Sequence, residues 1–108
     1  MKSAGQFAVV LVTAPDMDVA RLLAKAALKA HLVACANLLP GVESHYWWQE
    51  KMEVSQETLI IFKTRKSRVA ALEKLILARH PYDTPEILFL APDAGNGKYL
   101  DWIKENCP

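Results

Sequence analysis

The segment ETLIIFKT, residues 57–64, constrains the fold more than any other part of the chain. Its β-branched and aromatic residues predict a strand, in which successive side chains point to opposite faces of a sheet. Leu59 and Ile61 therefore share one face, and Ile60 and Phe62 share the other. Because both faces carry apolar side chains, the sheet must be covered on both sides.

Two strands and a helix precede this segment. A valine-rich stretch from Phe7 to Val12 predicts the first strand, and apolar residues at helical spacing predict an amphipathic helix from Asp16 to His31. A further apolar run ends at Pro40-Gly41, after which residues Val42 to Trp48 are predicted to be extended. The strand at residues 57–64 is then predicted to pair with this extended stretch as the second arm of a hairpin.

The second half of the chain adds a helix, a strand and a helical tail. Ser67 is placed to cap the second helix, and Pro81 ends it because proline has no backbone N–H to donate. Residues Glu86 to Ala91 predict the last strand, and Asn96 lies in the turn before a short final helix. The order β-α-β-β-α-β predicts an α+β ferredoxin-like sandwich, with one antiparallel sheet and two helices across one face.

Two helices leave the second face of such a sheet in water. An exposed apolar face of that size is usually hidden by another copy of the chain. The aromatic residues of the hairpin also point both ways, with Tyr46 and Trp48 on one face and Trp47 on the other. We therefore expect an obligate homo-oligomer; the alternative is a monomer with a few exposed aromatic side chains.

Composition excludes several classes of partner. The 108 residues predict a single domain, residues 1–108, and a formal net charge of +1 provides no basic field for nucleic acid or an anionic membrane. No segment approaches the ~20 apolar residues that span a bilayer. Two cysteines, Cys35 and Cys107, are too few for a disulfide scaffold and favour a reducing, cytoplasmic location.

Five motifs together resemble those of the CutA divalent-cation tolerance family. They are Thr13-Ala14-Pro15, LVACANLLPGVESHYWW from Leu32, the strand from Glu57 to Lys63-Thr64, HPYDTPEI from His80, and YLDWI from Tyr99. The resemblance runs from about residue 8 to about residue 104, and the combination is more specific than any single motif. It implies a non-enzymatic protein of the cellular response to divalent metal ions, with copper(II) as the first metal to consider.

The resemblance also implies a homotrimer, in which long hairpins pair across subunits and sheets face one another around a threefold axis. The expected interface residues are Tyr46, Trp47, Trp48, Ile60 and Phe62.

The tip of the hairpin departs from the family pattern. Relatives usually have glycine where this chain has Glu50, in the sequence Gln49-Glu50-Lys51. A non-glycine residue at positive φ costs roughly 1 kcal/mol. We therefore expect a turn that is strained, wider or mobile.

His80 is the first candidate metal ligand. A neutral imidazole suits copper(II) or zinc, and the sequence His80-Pro81-Tyr82 holds it in a rigid turn. The alternative is that the ring caps the preceding helix or bonds a backbone carbonyl. Some relatives carry a cysteine and a second histidine where this chain has Val12 and Arg79, which weakens the case for a soft site with several ligands.

The other cysteines and histidines are weaker candidates. Cys35 is the second metal candidate, although a free cysteine in an apolar run usually packs in the core. His31 and His45 have no carboxylate or thiol at ligand spacing, so we expect them to be solvated or hydrogen-bonded. Cys107 falls in a tail that is expected to fray, where a surface thiol would bind copper adventitiously.

A second hypothesis is small-molecule binding in clefts between subunits, by analogy with trimeric signalling proteins of the PII type. The candidate ligand-binding residues are Trp48, Glu57, Lys63, Tyr82 and Glu86. Lys63 can instead form a structural ion pair with Glu57 or Glu86. The chain has no glycine-rich phosphate cradle.

Enzyme and RNA-binding motifs are absent from the sequence. It contains no G-x-S-x-G or H-E-x-x-H motif, and an acylphosphatase would need an arginine-bearing loop where this chain has Val12-Thr13-Ala14-Pro15. The aromatic pattern of RNA-binding sheets is missing as well. Glu57 and Glu86 can form a carboxylate pair, but most such pairs serve Lys or Arg partners. The sequence therefore predicts no enzymatic activity and no required cofactor.

Overall fold

A four-stranded antiparallel sheet organises the chain, and the computed structural model describes all of residues 1–108. The elements in chain order are β1 (Lys2–Ser3), β2 (Phe7–Ala14), α1 (Met17–Lys29), β3 (Cys35–Trp48), β4 (Lys51–Arg65), a 3₁₀ turn (Lys66–Arg68), α2 (Val69–Arg79), β5 (Ile87–Leu90), β6 (Ala94–Gly95) and α3 (Gly97–Asn106). The large sheet has the order β3-β4-β2-β5, and β1 pairs with β6. This architecture confirms the predicted α+β sandwich; the small β1–β6 pair was not predicted.

The core lies between the sheet and the two long helices. Alternate residues of β2 and β4 point to the helices, and Val12 and Phe62 are among those that are fully buried. They form one apolar cluster with Leu23 of α1 and with Leu72 and Ile76 of α2. The inward-facing residues of the strands and the apolar residues of the two helices thus pack together in a single core.

The prediction that Ile60 and Phe62 belong to an interface is wrong. Both side chains are fully buried within one chain, so a second copy has no surface left to cover there. Their neighbours Leu59 and Ile61 occupy the opposite face of β4. The residues available for an interface on β4 are therefore those of the opposite face, Leu59 and Ile61.

The face that Leu59 and Ile61 share carries no helix. Strand register places Leu39 beside Leu59, Leu11 beside Ile61, and Leu88 beside Leu11. Leu39, Leu88 and Leu90 are each substantially exposed. A continuous apolar surface therefore crosses all four strands, and we call it the open sheet face.

Helix ends follow local chemistry with one exception. Asp16 caps α1 by accepting a hydrogen bond from the Val19 N–H at 2.9 Å, and Asn96 caps α3 in the same way from Tyr99 at 3.1 Å. Ser67 does not cap α2, because it lies inside the preceding 3₁₀ turn and the capping position is Arg68, which makes no side-chain cap bond. None of the helices combines the length and hydropathy that crossing a membrane requires.

The first arm of the hairpin is one continuous strand. The predicted break at Pro40-Gly41 is a shift of register between Leu39 and Val42, where Gly41 adopts φ 73°. Proline is tolerated here because β3 lies at the edge of the sheet and the bulge leaves the residue unpaired. The strand therefore bends without ending.

The C-terminal tail is anchored, and the prediction that it frays is wrong. The Cys107 side chain is fully buried beside Leu100 and Ile103 of α3 and Phe7 of β2. Its thiol donates to the Ile103 carbonyl at 3.1 Å. These side chains form a second apolar cluster, and the contacts of Cys107 within it hold the C-terminal tail in place.

The hairpin tip is a tight two-residue turn. Trp48 pairs with Lys51, and the two residues between them, Gln49 and Glu50, adopt φ 49° and φ 65°. Two left-handed residues in a two-residue loop define a type I′ turn, which favours Asn-Gly. The expected left-handed strain is present, and the expectation of a wider turn is wrong.

Replacing Glu50 with Gly should stabilise the protein by about 1 kcal/mol, because glycine adopts positive φ without the steric cost that a Cβ brings. A change of that size raises the thermal midpoint of a small domain by about 4 °C or more. Glu50→Ala is the matched control, since it removes the charge and keeps the Cβ. Scanning calorimetry that finds the same midpoint for both variants would contradict a strained turn.

Candidate functional site

An open cleft of about 810 Å³ separates the hairpin from the loop that follows α2. Its lining comprises Thr13, Ser44, His45, Tyr46, Trp47, Trp48, Glu57, Tyr82, Asp83, Thr84, Pro85 and Glu86. Four of the five predicted ligand-binding residues meet here: Trp48, Glu57, Tyr82 and Glu86. Lys63 is the one that does not.

A hydrogen bond joins the two sides of the cleft. The Tyr82 phenol donates to Oε2 of Glu57 at 2.9 Å, and so ties the loop to β4. Burial, together with this hydrogen bond, raises the pKa of Tyr82 to about 12. The phenol therefore keeps its proton at physiological pH and remains a donor to the carboxylate.

The two glutamates of the cleft influence each other. Partial burial, and then the nearby negative charge of Glu57, raises the pKa of Glu86 above its ordinary value. Like charges that approach one another disfavour double ionisation. The cleft therefore carries acidic side chains, and no lysine or arginine lines it.

The predicted ion pair between Lys63 and a cleft glutamate is wrong. Lys63 donates a hydrogen bond to Oδ1 of Asn37, and its Nζ lies 3.8 Å from Cys35 Sγ. Glu57 and Lys63 share a face of β4, but six residues of extended strand separate their backbones by about 20 Å. Arg21 forms an ion pair with Asp18, and His45 forms a hydrogen bond with Glu43. Neither contact involves Glu57 or Glu86, so these two glutamates have no cationic partner.

His80 holds the loop at the cleft. The ring is buried, its Nε2 lies 2.8 Å from the Thr13 carbonyl oxygen, and its Nδ1 accepts from the Tyr82 N–H at 3.0 Å. These partners assign a neutral ring with the proton on Nε2. The alternative anticipated from the sequence, a bond to a backbone carbonyl, is the observed one. A metal ion would have to displace one of these bonds.

Cys35 is half-buried at the start of β3, on the open sheet face and not in the core. Asn37 Oδ1 lies 3.7 Å from its thiol and Lys63 Nζ lies 3.8 Å away. No group of three or more His, Cys, Asp or Glu side chains is arranged to hold a metal ion. A single chain therefore offers Cys35 as an isolated soft ligand.

The two remaining histidines are hydrogen-bonded, as expected. Nδ1 of His31 lies 3.3 Å from the Asn106 carbonyl oxygen, and Nε2 of His45 lies 2.7 Å from Oε2 of Glu43. The Glu43 contact was missed, although residues two apart on a strand share a face and can meet. The third cleft carboxylate, Asp83, was also missed; its only signal was its place in the turn after Pro81.

Replacing Glu86 with Gln should raise the thermal midpoint at about pH 8 and leave it nearly unchanged at about pH 4. The pKa of Glu86 is raised in the folded state, so its contribution to stability is present below the unfolded pKa and is lost as pH rises through the folded pKa. Glutamine removes the penalty on the ionised form.

Glu105→Gln is the control for this test, because Glu105 is an exposed carboxylate of α3 outside the cleft. Its effect should be small at both pH values. An equal shift for Glu86→Gln at both pH values would contradict the assigned interaction.

Comparison with known proteins agrees with this architecture and these motifs. The family model described as "CutA1 divalent ion tolerance protein" matches residues 8–106. The chain is 44% identical over 98 residues to the divalent-cation tolerance protein CutA of Thermus thermophilus, with 91% of this chain and 95% of that protein covered. It is 43% identical over 98 residues to the chloroplastic protein CutA 1 of Oryza sativa, where the match covers 91% of this chain and 55% of that protein.

The chain thus spans about half the length of the rice protein and nearly all of the Thermus protein. The fold matches as well, since the crystal structure of CutA1 from Oryza sativa superposes with a TM-score of 0.93 at 40% identity, covering 97% of this chain and 96% of that one. Sequence and fold agree over almost the whole chain, which belongs to the CutA1 divalent ion tolerance protein family.

Proposed function

We propose that the protein acts in the cellular response to divalent cations as a homotrimer, without catalysing a reaction. Family membership supports the role in cation tolerance. The observation that carries the assembly is the open sheet face, an apolar surface that the helices of the chain do not cover. The proposed number of subunits, three, is taken from the resemblance to the family.

Assembly removes apolar surface from water on both sides of the hairpin. Burying a leucine side chain stabilises by ~1.5–3 kcal/mol, and Leu39, Leu88 and Leu90 are all available on the open sheet face. On the opposite side of the hairpin Trp47 is 72% exposed and Met52 is 77% exposed. Exposed apolar side chains on both sides of the sheet and its hairpin suit contact with a neighbouring copy.

Replacing Leu88 with Lys should break the assembly, because the charge would be buried without a partner at the subunit contact. Leu77→Lys is the matched control: Leu77 is 53% exposed on α2, against 56% for Leu88 on the open sheet face. Light scattering after gel filtration should give a trimer for the control and smaller species for Leu88→Lys. Identical masses for the two variants would contradict assembly through this face.

Copper(II) is the metal that we propose the protein binds, with Cys35 as the ligand from each chain. This choice is supported by the half-buried thiol of Cys35, whereas both ring nitrogens of His80 are engaged in hydrogen bonds. Cysteine is a copper ligand in the His2Cys sites of copper proteins.

Calorimetric titration with copper(II) tests this assignment. Cys35→Ser should weaken binding by about tenfold or more, as expected when a ligand is lost. His80→Ala and Cys107→Ser should leave the affinity unchanged, provided that circular dichroism finds both variants folded. A loss of binding in His80→Ala alone would contradict the assignment to Cys35.

We propose the cytoplasm as the compartment, with support from the two free cysteines. The rice relative is named as a chloroplastic protein, and we do not assign that location to this chain.

A second candidate function is binding of a small molecule in the cleft, in the manner of PII-type trimers. The specific observation that favours it is the volume of about 810 Å³ beside two glutamates that have no cationic partner. Pockets of this size, with aromatic walls and a few polar groups, suit small ligands.

A further inference from the structure

We infer that the cleft between the hairpin and the loop after α2 binds a small organic cation, whose ammonium or guanidinium group lies between Glu57 and Glu86. The inference rests on the second candidate function, that the cleft is a binding site. It adds the chemical class of the ligand, which neither the family description nor the names of the relatives supplies.

The charge of the cleft is the first observation that favours a cation as the ligand. Glu57, Asp83 and Glu86 line it, and no lysine or arginine does. Neither Glu57 nor Glu86 takes part in an ion pair elsewhere in the chain. A concave surface with one sign of charge concentrates ligands of the opposite sign.

The second step is the positioning of Glu57. Its Oε2 atom accepts the Tyr82 phenol proton at 2.9 Å, which fixes the carboxylate and leaves Oε1 free for a ligand. The backbone N–H of Tyr82 is held in turn by the buried His80 ring. A carboxylate whose orientation is fixed in advance loses little freedom when a cation binds.

The aromatic walls decide between kinds of cation. Tyr46, Trp48 and Tyr82 line the same cleft as the carboxylates, and aromatic faces attract ammonium and guanidinium groups. The alkyl chain attached to either group is apolar and can be covered by aromatic rings, and guanidinium is more weakly hydrated than ammonium.

A divalent metal ion fits the cleft less well. Calcium takes six to eight oxygen ligands and magnesium requires near-ideal octahedral geometry. The carboxylates of the cleft form no group of three that is arranged to hold a metal ion. Two carboxylates beside an aromatic wall instead suit an organic cation, because they can contact its charge and its apolar carbon together.

Four probes of equal chain length test the inference on the full-length protein: n-butylguanidinium, n-butylammonium, neutral n-butanol and anionic butyrate. Binding is measured by calorimetry and by tryptophan fluorescence at about pH 8, where the carboxylates are ionised. The variants are Glu57→Gln and Glu86→Gln, with Glu105→Gln as the control outside the cleft. Manganese(II) is titrated separately, and the mass of the assembly is measured for each variant.

We expect at least one of the two cations to bind, and butanol and butyrate to bind at least tenfold more weakly. Glu57→Gln and Glu86→Gln should each weaken cation binding by about fivefold, and Glu105→Gln should leave it unchanged. The mass of the assembly should be the same throughout.

Different failures have different meanings. If butanol or butyrate binds as well as the cations, or if the two cleft variants bind cations normally, the organic-cation inference is overturned while the cleft remains a binding site. If manganese(II) binds and displaces the cations, the inference is replaced by a metal site. If no probe binds, the cleft loses its role as a binding site along with the inference, and only the proposed assembly in cation tolerance remains.

Discussion

The structure depends on a sheet that is apolar on both faces while the chain supplies helices for only one. In β4, alternate residues send Ile60 and Phe62 into the core and Leu59 and Ile61 to the open sheet face. The same alternation runs through β2, so the pattern crosses the centre of the sheet. Hydrophobic burial within one chain therefore covers one face of the sheet and leaves apolar side chains exposed on the other.

The cleft follows from the same sheet. Glu57 shares the open side of β4 with Leu59, but it lies toward the hairpin, where the loop after α2 reaches across. His80 and Tyr82 hold that loop through bonds to Thr13 and Glu57. An exposed apolar surface and an acidic, aromatic cleft therefore lie along one side of one strand.

The fold could be predicted from the sequence because its signals are local. The helix starts near Asp16 and Asn96, the helix end before Pro81 and the period-2 pattern of β4 each depend on nearby residues. The capping prediction for Ser67 was wrong because a serine two residues before a helix can also lie inside a 3₁₀ turn. The anchored Cys107 could not be foreseen, since its burial depends on contacts with residues far away in the sequence.

The candidate site was only partly predictable, for two reasons. The pattern of β4 shows that both faces are apolar, but it does not say which face receives the helices, and Ile60 and Phe62 were assigned to the wrong side for this reason. Residue types also suggest partners that geometry forbids: Lys63 is a natural partner for Glu57, yet strand length keeps them apart. The negative charge of the cleft became visible only once Lys63 was placed beside Asn37.

Sedimentation equilibrium of the unmodified protein at nanomolar concentration tests the central claim most directly. An apolar sheet face that is open to water favours association with further copies of the chain. The account predicts a folded particle three times the 12.1 kDa mass of one chain. A folded particle of 12.1 kDa would contradict it.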